Sequence, residues 1–173
     1  MEEFAQMLMY TVPSVVVGAI AYLLVHRLLQ NEQNRHLMEV KKENLKYSTP
    51  IIFGAHERLI LFLERMQMSS VISRVHKPGM SARLLQTALI NEIKTEFEYN
   101  LSQQLYVSKN SWDLVKKAKE ESMKLVSMGM MKLNDGATSI DLAREVLTIA
   151  SAQEQDWTQK AIDVLKADLR KTF

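Results

Sequence analysis

Apolar residues are concentrated in one segment near the start of the chain, residues 4–25, which contains no charged side chain. An α-helix rises about 1.5 Å per residue, so this segment is long enough to cross a bilayer core of about 30 Å. We therefore expect a transmembrane anchor at residues 1–27. Ser14 and Gly18 stand four residues apart within it. Such a pair of small residues favours a helix–helix contact in the membrane, and the alternative is that both positions face lipid.

The residues that flank this segment predict its orientation. No Lys or Arg precedes it, whereas five follow within about 20 residues, namely Arg27, Arg35, Lys41, Lys42 and Lys46. This asymmetry places the amino terminus outside and the rest of the chain in the cytoplasm. A cleaved signal peptide is disfavoured by the acidic start and by the length of the apolar segment. A fully buried core helix is the other alternative.

The polar stretch 30–36 has no apolar face to bury, so residues 28–47 are predicted to form a solvated juxtamembrane neck helix. Ser48, Thr49 and Pro50 predict the end of this helix and the start of the next, because proline suits a first helical turn. Residues 48–173 are then expected to form one cytoplasmic helical domain.

Apolar residues in this domain recur at spacings of three and four, which is typical of packed helices. The pattern predicts an all-α bundle of about five helices, the first over residues 50–67. Ser81 and Ser139 are expected to be the N-caps of two later helices. One stripe has a strict spacing of four and predicts a packed face: Leu85, Leu89, Ile93, Phe97, Leu101 and Leu105.

Four charged residues of the helix over 50–67 have no opposite charge three or four positions away: Glu57, Arg58, Glu64 and Arg65. They cannot form ion pairs within their own helix. They are therefore either solvated or bridge to other helices or to a second subunit, and we expect such salt bridges.

Composition and charge exclude several classes of function. Three prolines and five glycines in 173 residues favour long helices over a fold with many turns. A formal net charge of +2 gives no reason to expect a nucleic-acid partner, which needs a concentrated basic surface. With no cysteine, disulfides, thiolate chemistry and Cys-type zinc sites are excluded.

The residue patterns predict no metal, no cofactor and no catalytic site. The four histidines are tens of residues apart, and His56 lies on an apolar stripe, where a hydrogen-bonded core histidine is the commoner explanation. Glu92 and Glu96 share a helix face near Tyr99, but a solvated face is commoner there than an acid–base pair. No small-molecule substrate is identified.

Eleven methionines are many for a chain of this length. Methionine adapts its shape, so that Met-rich surfaces can bind varied apolar segments, and core filling is the alternative. The candidates for such a surface are Met66, Met68, Met123, Met128, Met130 and Met131.

Two segments are distinctive as sequences: E-R-L-I-L-F-L-E-R at residues 57–65 and E-F-E-Y-N-L-S-Q-Q-L-Y-V-S at residues 96–108. Together with Glu43-Asn44 and the break at Pro50, they resemble a family of small single-span Bacteroidota membrane proteins whose domain has no known function. The family usually has an aromatic residue where His56 stands. The resemblance implies a bacterial inner (cytoplasmic) membrane protein and no established activity.

Three functions remain open at this point. The leading hypothesis is a non-enzymatic membrane-anchored scaffold or accessory subunit of an inner-membrane complex. Its partners would be the lipid bilayer and other membrane proteins, or a second copy of the chain. The second hypothesis is a membrane-tethered binding module or chaperone for apolar segments, acting through its Met-rich helices. The third is a membrane-tethered enzyme with an unfamiliar site around Glu92, Glu96, Tyr99 and His56.

Overall fold

The computed structural model describes the backbone of residues 2–172 and the side chains of residues 16, 17, 20, 22–33, 35, 36 and 38–171. The described residues form helices joined by short loops, without a strand among them, and the predicted helical bundle is confirmed. The α-helices are α1 (Glu2–Arg65), α2 (Met68–Val75), α3 (Ala82–Tyr99), α4 (Lys109–Met131), α5 (Ser139–Ser151) and α6 (Trp157–Thr172). A 3₁₀ helix, Leu101–Tyr106, lies between α3 and α4.

The predicted transmembrane anchor at residues 1–27 is wrong. Within the part of the chain that the structure describes, no helix is both long enough and apolar enough to cross a membrane. Most side chains of residues 1–21 lie outside the described residues; those that are described beyond them include His26 and Arg27, and the polar stretch 30–36 follows. A spanning helix needs about 20 predominantly apolar residues. The single-pass topology, the inner-membrane location and the orientation rested on this anchor and are corrected with it.

The predicted helix boundary at Ser48, Thr49 and Pro50 is also wrong, because α1 continues through all three residues. Proline removes one backbone donor, so the carbonyl four residues before Pro50 loses its usual partner. The Ser48 hydroxyl donates to the carbonyl oxygen of Asn44 at 2.9 Å. The chain nevertheless divides near this point into two compact units, Met1–Thr49 and Pro50–Phe173.

The second unit has one hydrophobic core, and helix α4 packs against α3, α5 and α6 within it. Every helix of the unit contributes buried side chains, including Leu59, Leu63, Val71, Leu85, Leu89, Ile93, Val115, Val126, Leu142, Val146, Ile162 and Leu165. Helices α4 and α5 approach closely at Gly129. A Cβ there would lie 2.6 Å from Cγ2 of Val146, so the contact requires a residue without a side chain.

Polar side chains fix where the helices of the second unit begin. The Ser81 hydroxyl accepts from the Leu84 backbone N–H at the start of α3, as expected from the sequence. The N-cap of α5 is Thr138 rather than the predicted Ser139, and it forms a capping box with Asp141. Thr138 and Ser81 are neighbours, because an isolated antiparallel bridge joins their backbones.

The predicted apolar stripe of α3 is only partly a packed face. Leu85, Leu89 and Ile93 are buried, but α3 ends at Tyr99. The 3₁₀ helix that follows has 3.0 residues per turn, so a spacing of four no longer returns to the same face. Leu101 and Leu105 are therefore 40% and 77% exposed.

Candidate functional site

The end of α3 and the 3₁₀ helix expose four large apolar or aromatic side chains within eight consecutive residues. Tyr99 and Leu105 are each 77% exposed, Leu101 is 40% exposed and Tyr106 is 41% exposed. We call these four residues the 3₁₀ surface. A single exposed apolar residue needs no explanation, but a group of them is typical of an interaction site.

Buried polar residues hold the backbone of this segment in place. Asn100 and Gln103 lie between the exposed residues of this segment, and both are buried. The Asn100 side-chain amide donates to the carbonyl oxygen of Glu96 at 2.8 Å. The Asn100 backbone N–H donates to the carbonyl oxygen of Phe97 at 3.0 Å. The exposed side chains therefore project from an ordered backbone. Such order lowers the entropy lost when a partner binds.

Asp168 of α6 lies where α4 begins, directly after the 3₁₀ surface. Its Oδ2 accepts hydrogen bonds from the Ser108 backbone N–H at 3.0 Å and from the Ser111 hydroxyl at 2.8 Å. Burial raises the pKa of Asp168, but the hydrogen bonds from Ser108 and Ser111 and the charge of His56 outweigh it and hold that pKa below its usual value. The carboxylate is therefore ionised at neutral pH and ties α6 to the start of α4.

His56 of α1 faces the same carboxylate from the core. It is 2% exposed, and its Nδ1 lies 2.8 Å from the carbonyl oxygen of Ile52. A carbonyl oxygen only accepts, so Nδ1 carries a proton and donates it. Nε2 is buried without a hydrogen-bond partner among the described residues and lies 3.9 Å from Oδ2 of Asp168.

This cluster is a structural clamp rather than a nucleophilic site. In a nucleophile–base pair the hydroxyl donates to the imidazole. Here the Ser111 hydroxyl donates to Asp168, and both Ser111 and His56 are buried. The clamp joins α1, α4 and α6 and fixes the residues that follow the 3₁₀ surface.

The four charged residues predicted to bridge between helices have different environments. Arg65 donates from its guanidinium to the Glu96 carboxylate on α3, which is a salt bridge between helices. The Glu64 carboxylate accepts from the side chain of Gln67 at 2.8 Å, within its own chain segment. Glu57 and Arg58 are exposed and form no salt bridge with the described residues. Ser14 and Gly18, the predicted helix–helix pair, lie outside the residues whose side chains the structure describes.

The residues of the enzyme hypothesis do not converge on one site. Glu96 binds Arg65, and Oε1 of Glu92 lies 3.3 Å from Nη2 of Arg74. Tyr99 points to solvent, whereas His56 is in the core. In the part of the chain that the structure describes, no three potential ligands are grouped to hold a metal ion.

The methionines proposed as a binding surface are divided between the core and the surface. Met66 and Met68 are buried, and Met123 and Met130 pack against the core. Met128 and Met131 are exposed. Core filling therefore accounts for the first four, and two exposed methionines remain.

Sequence reasoning missed both the 3₁₀ surface and the Asp168 clamp. A four-residue spacing that continues past Asn100 gives no sign that the helix has tightened, and Asp168 is 57 residues from Ser111. Asn100 was the one available signal, because its short amide competes for backbone hydrogen bonds and favours helix ends.

The model of a family of unknown function, DUF7935, matches residues 2–172 of the chain. No curated protein and no solved structure matches the chain.

Proposed function

The chain belongs to this family of unknown function, and we propose that it is a non-enzymatic scaffold or accessory subunit that binds another protein through its helical domain. The observation that carries the proposal is the 3₁₀ surface, where Tyr99 and Leu105 are each 77% exposed on an ordered backbone. Tyrosine is enriched among the residues that dominate binding energy at protein interfaces.

The composition of this surface supports a protein as the partner. Tyrosine combines a large apolar ring with a hydroxyl that can donate or accept a hydrogen bond, which suits the centre of an interface. Lys and Arg are absent from the segment 99–106, so it offers no cation for a phosphate. The polar neighbours Ser102 and Gln104 are exposed and can form a hydrogen-bonding rim.

A pull-down of the full chain in mild detergent, followed by mass spectrometry, tests the proposal. We expect the wild-type chain to be recovered in stoichiometric complex with a partner. Substituting Tyr99→Ser and Leu105→Ser should weaken that complex by roughly 30-fold or more, which corresponds to losing at least about 2 kcal/mol of binding energy.

Leu84→Ser is the matched control. Leu84 is an exposed leucine like Leu105 but lies near the start of α3, about 22 Å from Tyr99 along the helix at 1.5 Å per residue. The control should retain the partner. Recovery of the wild-type chain alone as a monomer, or equal loss of the partner in both variants, would contradict the proposal.

The alternative binding module for apolar segments would use the exposed Met128 and Met131 at the end of α4. Substituting both with Ser should then abolish the binding of apolar peptides, while the 3₁₀ surface remains intact. Unchanged peptide binding would exclude this alternative.

A further inference from the structure

The part of α1 that belongs to the second unit has one side in the core and one side at the surface. Leu59 and Leu63 are fully buried on the inner side. The outer side carries a stripe of positions spaced alternately three and four residues apart, which places them on one face of the helix. We call these positions the α1 stripe: Ile51, Gly54, Arg58 and Leu61.

The apolar members of the α1 stripe are not covered by the rest of the described chain. Ile51 is 51% exposed and Leu61 is 57% exposed. Gly54 lies between them, and a Cβ added there would meet no atom within 4 Å. The stripe is therefore open, and a residue without a side chain at its middle lets another backbone approach closely.

Two charges of opposite sign flank the line from Gly54 to Leu61, with Arg58 on one side and Glu57 on the other. Both residues are exposed, and neither forms an ion pair with any residue that the structure describes. Consecutive residues are about 100° apart around a helix and do not face each other, so these two charges cannot pair within one chain.

A second copy of the chain supplies the opposite charge that each flank lacks. When two copies of a helix pack in parallel about a two-fold axis, each flank of one helix faces the other flank of its partner. Arg58 of each copy then lies beside Glu57 of the partner subunit, and symmetry forms this pair twice. An antiparallel pair would bring like flanks together and keep the opposite charges apart, so the charges favour the parallel arrangement.

The residue types of the α1 stripe suit the same arrangement. Its spacing is that of the core positions of a coiled coil, with Ile51 and Arg58 at a positions and Leu61 at a d position. A β-branched residue at a with leucine at d favours two parallel strands, and a polar residue at an a position fixes the register. Arg65, one position a further on, is already paired with Glu96.

We propose that the chain forms a parallel homodimer through the α1 stripe. The stripe covers only about three helical turns, so the contact is small and the dimer exchanges with the monomer at micromolar concentrations. This self-association is independent of the scaffold function, because no residue of the 3₁₀ surface belongs to α1.

Sedimentation velocity of the full chain in mild detergent, over a range of protein concentrations, tests the proposal. The wild-type chain should pass from monomer to dimer in the micromolar range. Glu57→Arg and Arg58→Glu each place like charges at the contact, and each should weaken dimerisation by about tenfold or more. An equimolar mixture of the two variants has opposite charges at both contacts and should dimerise as the wild type does.

Arg83→Glu is the matched control, because Arg83 is an exposed arginine of α3 and the charge change is the same. This variant should dimerise as the wild type does. The proposal is overturned by a wild-type chain that stays monomeric, by dimerisation that Glu57→Arg and Arg58→Glu leave unchanged, by equal weakening in Arg83→Glu, or by a mixture that fails to restore the dimer.

A cross-link tests the parallel register directly. The chain contains no cysteine, so a single introduced cysteine reports on one position. Equivalent d positions face each other across the axis of a parallel pair. Leu61→Cys should therefore give a disulfide-linked dimer on mild oxidation, and Leu84→Cys should not. Equal yields of linked dimer from the two variants, or none from either, would contradict the parallel contact.

Discussion

At the residue scale, Asp168 has the largest structural role that the sequence did not indicate. One of its oxygen atoms joins the start of α4 to α6 through Ser108 and Ser111, with His56 of α1 facing it. Such contacts between residues far apart in sequence depend on tertiary packing, so no local pattern could predict them. His56, by contrast, lies in the core and bonds its own helix, as its position on an apolar stripe suggested.

Ser111→Ala should raise the pKa of Asp168 towards its ordinary value, because a hydrogen bond of 2.8 Å to the carboxylate is lost. The folded-state pKa lies below the unfolded value of about 3.9. The stability that the carboxylate contributes is therefore fully present above that pH and is lost as the pH falls through the folded-state pKa. The variant should be less stable by about 1 kcal/mol at neutral pH, and the difference should shrink in acid.

Urea unfolding at a series of pH values, with NMR titration of the Asp168 carboxyl carbon, measures both effects. Ser127→Ala is the control, because Ser127 lies on the same helix and its hydroxyl donates to the backbone carbonyl of Met123. An unchanged Asp168 pKa in the Ser111 variant would show that the clamp is described incorrectly.

Gly129→Ala should destabilise the second unit. The new Cβ would meet Cγ2 of Val146 at 2.6 Å, and Val146 is a buried, β-branched residue with little rotamer freedom. We expect a loss of about 1–3 kcal/mol from overpacking. Gly54→Ala, in a helical position with no atom within 4 Å of its Cβ, should instead stabilise by about 1 kcal/mol. In thermal unfolding, the melting temperature should fall for Gly129→Ala and rise for Gly54→Ala. Equal shifts of the melting temperature in the two variants would argue against the close contact between Gly129 and Val146.

At the element scale, the pattern of apolar residues predicted the helices well and their ends less well. Ser81 begins α3 as expected, because the N-cap signal is local. Pro50 does not end α1, although proline suits a helix start, since the loss of one backbone donor is tolerated in this long helix. The change from α-helix to 3₁₀ helix after Tyr99 keeps the residue spacing but rotates Leu101 and Leu105 to the surface.

Thr138→Ala should weaken the start of α5. The Thr138 hydroxyl accepts from the Asp141 backbone N–H, and the Asp141 carboxylate accepts from the Thr138 backbone N–H at 2.9 Å. Loss of such a cap costs about 1 kcal/mol. Thr138→Ser keeps the hydroxyl and should be close to wild type in chemical denaturation. Similar losses in the two variants would mean that the methyl group, and not the cap, matters at this position.

At the scale of the whole molecule, the all-α bundle was predictable because its core stripes follow helical periodicity over many residues. The membrane anchor predicted from the uncharged segment 4–25 was wrong. No helix in the described residues is long and apolar enough to cross a membrane. The 3₁₀ surface was hidden for a different reason, since the exposure of its side chains is set by where α3 ends and not by the residue types.

The most direct test of the scaffold proposal places a photo-cross-linking amino acid at position 105 of the full chain, expressed in its native host. Irradiation should link this position to another protein, and the same residue at position 84 should give no such product. Cross-linked product at neither position, or equal yields of the same product at both, would contradict the account, because binding would then not occur at the 3₁₀ surface.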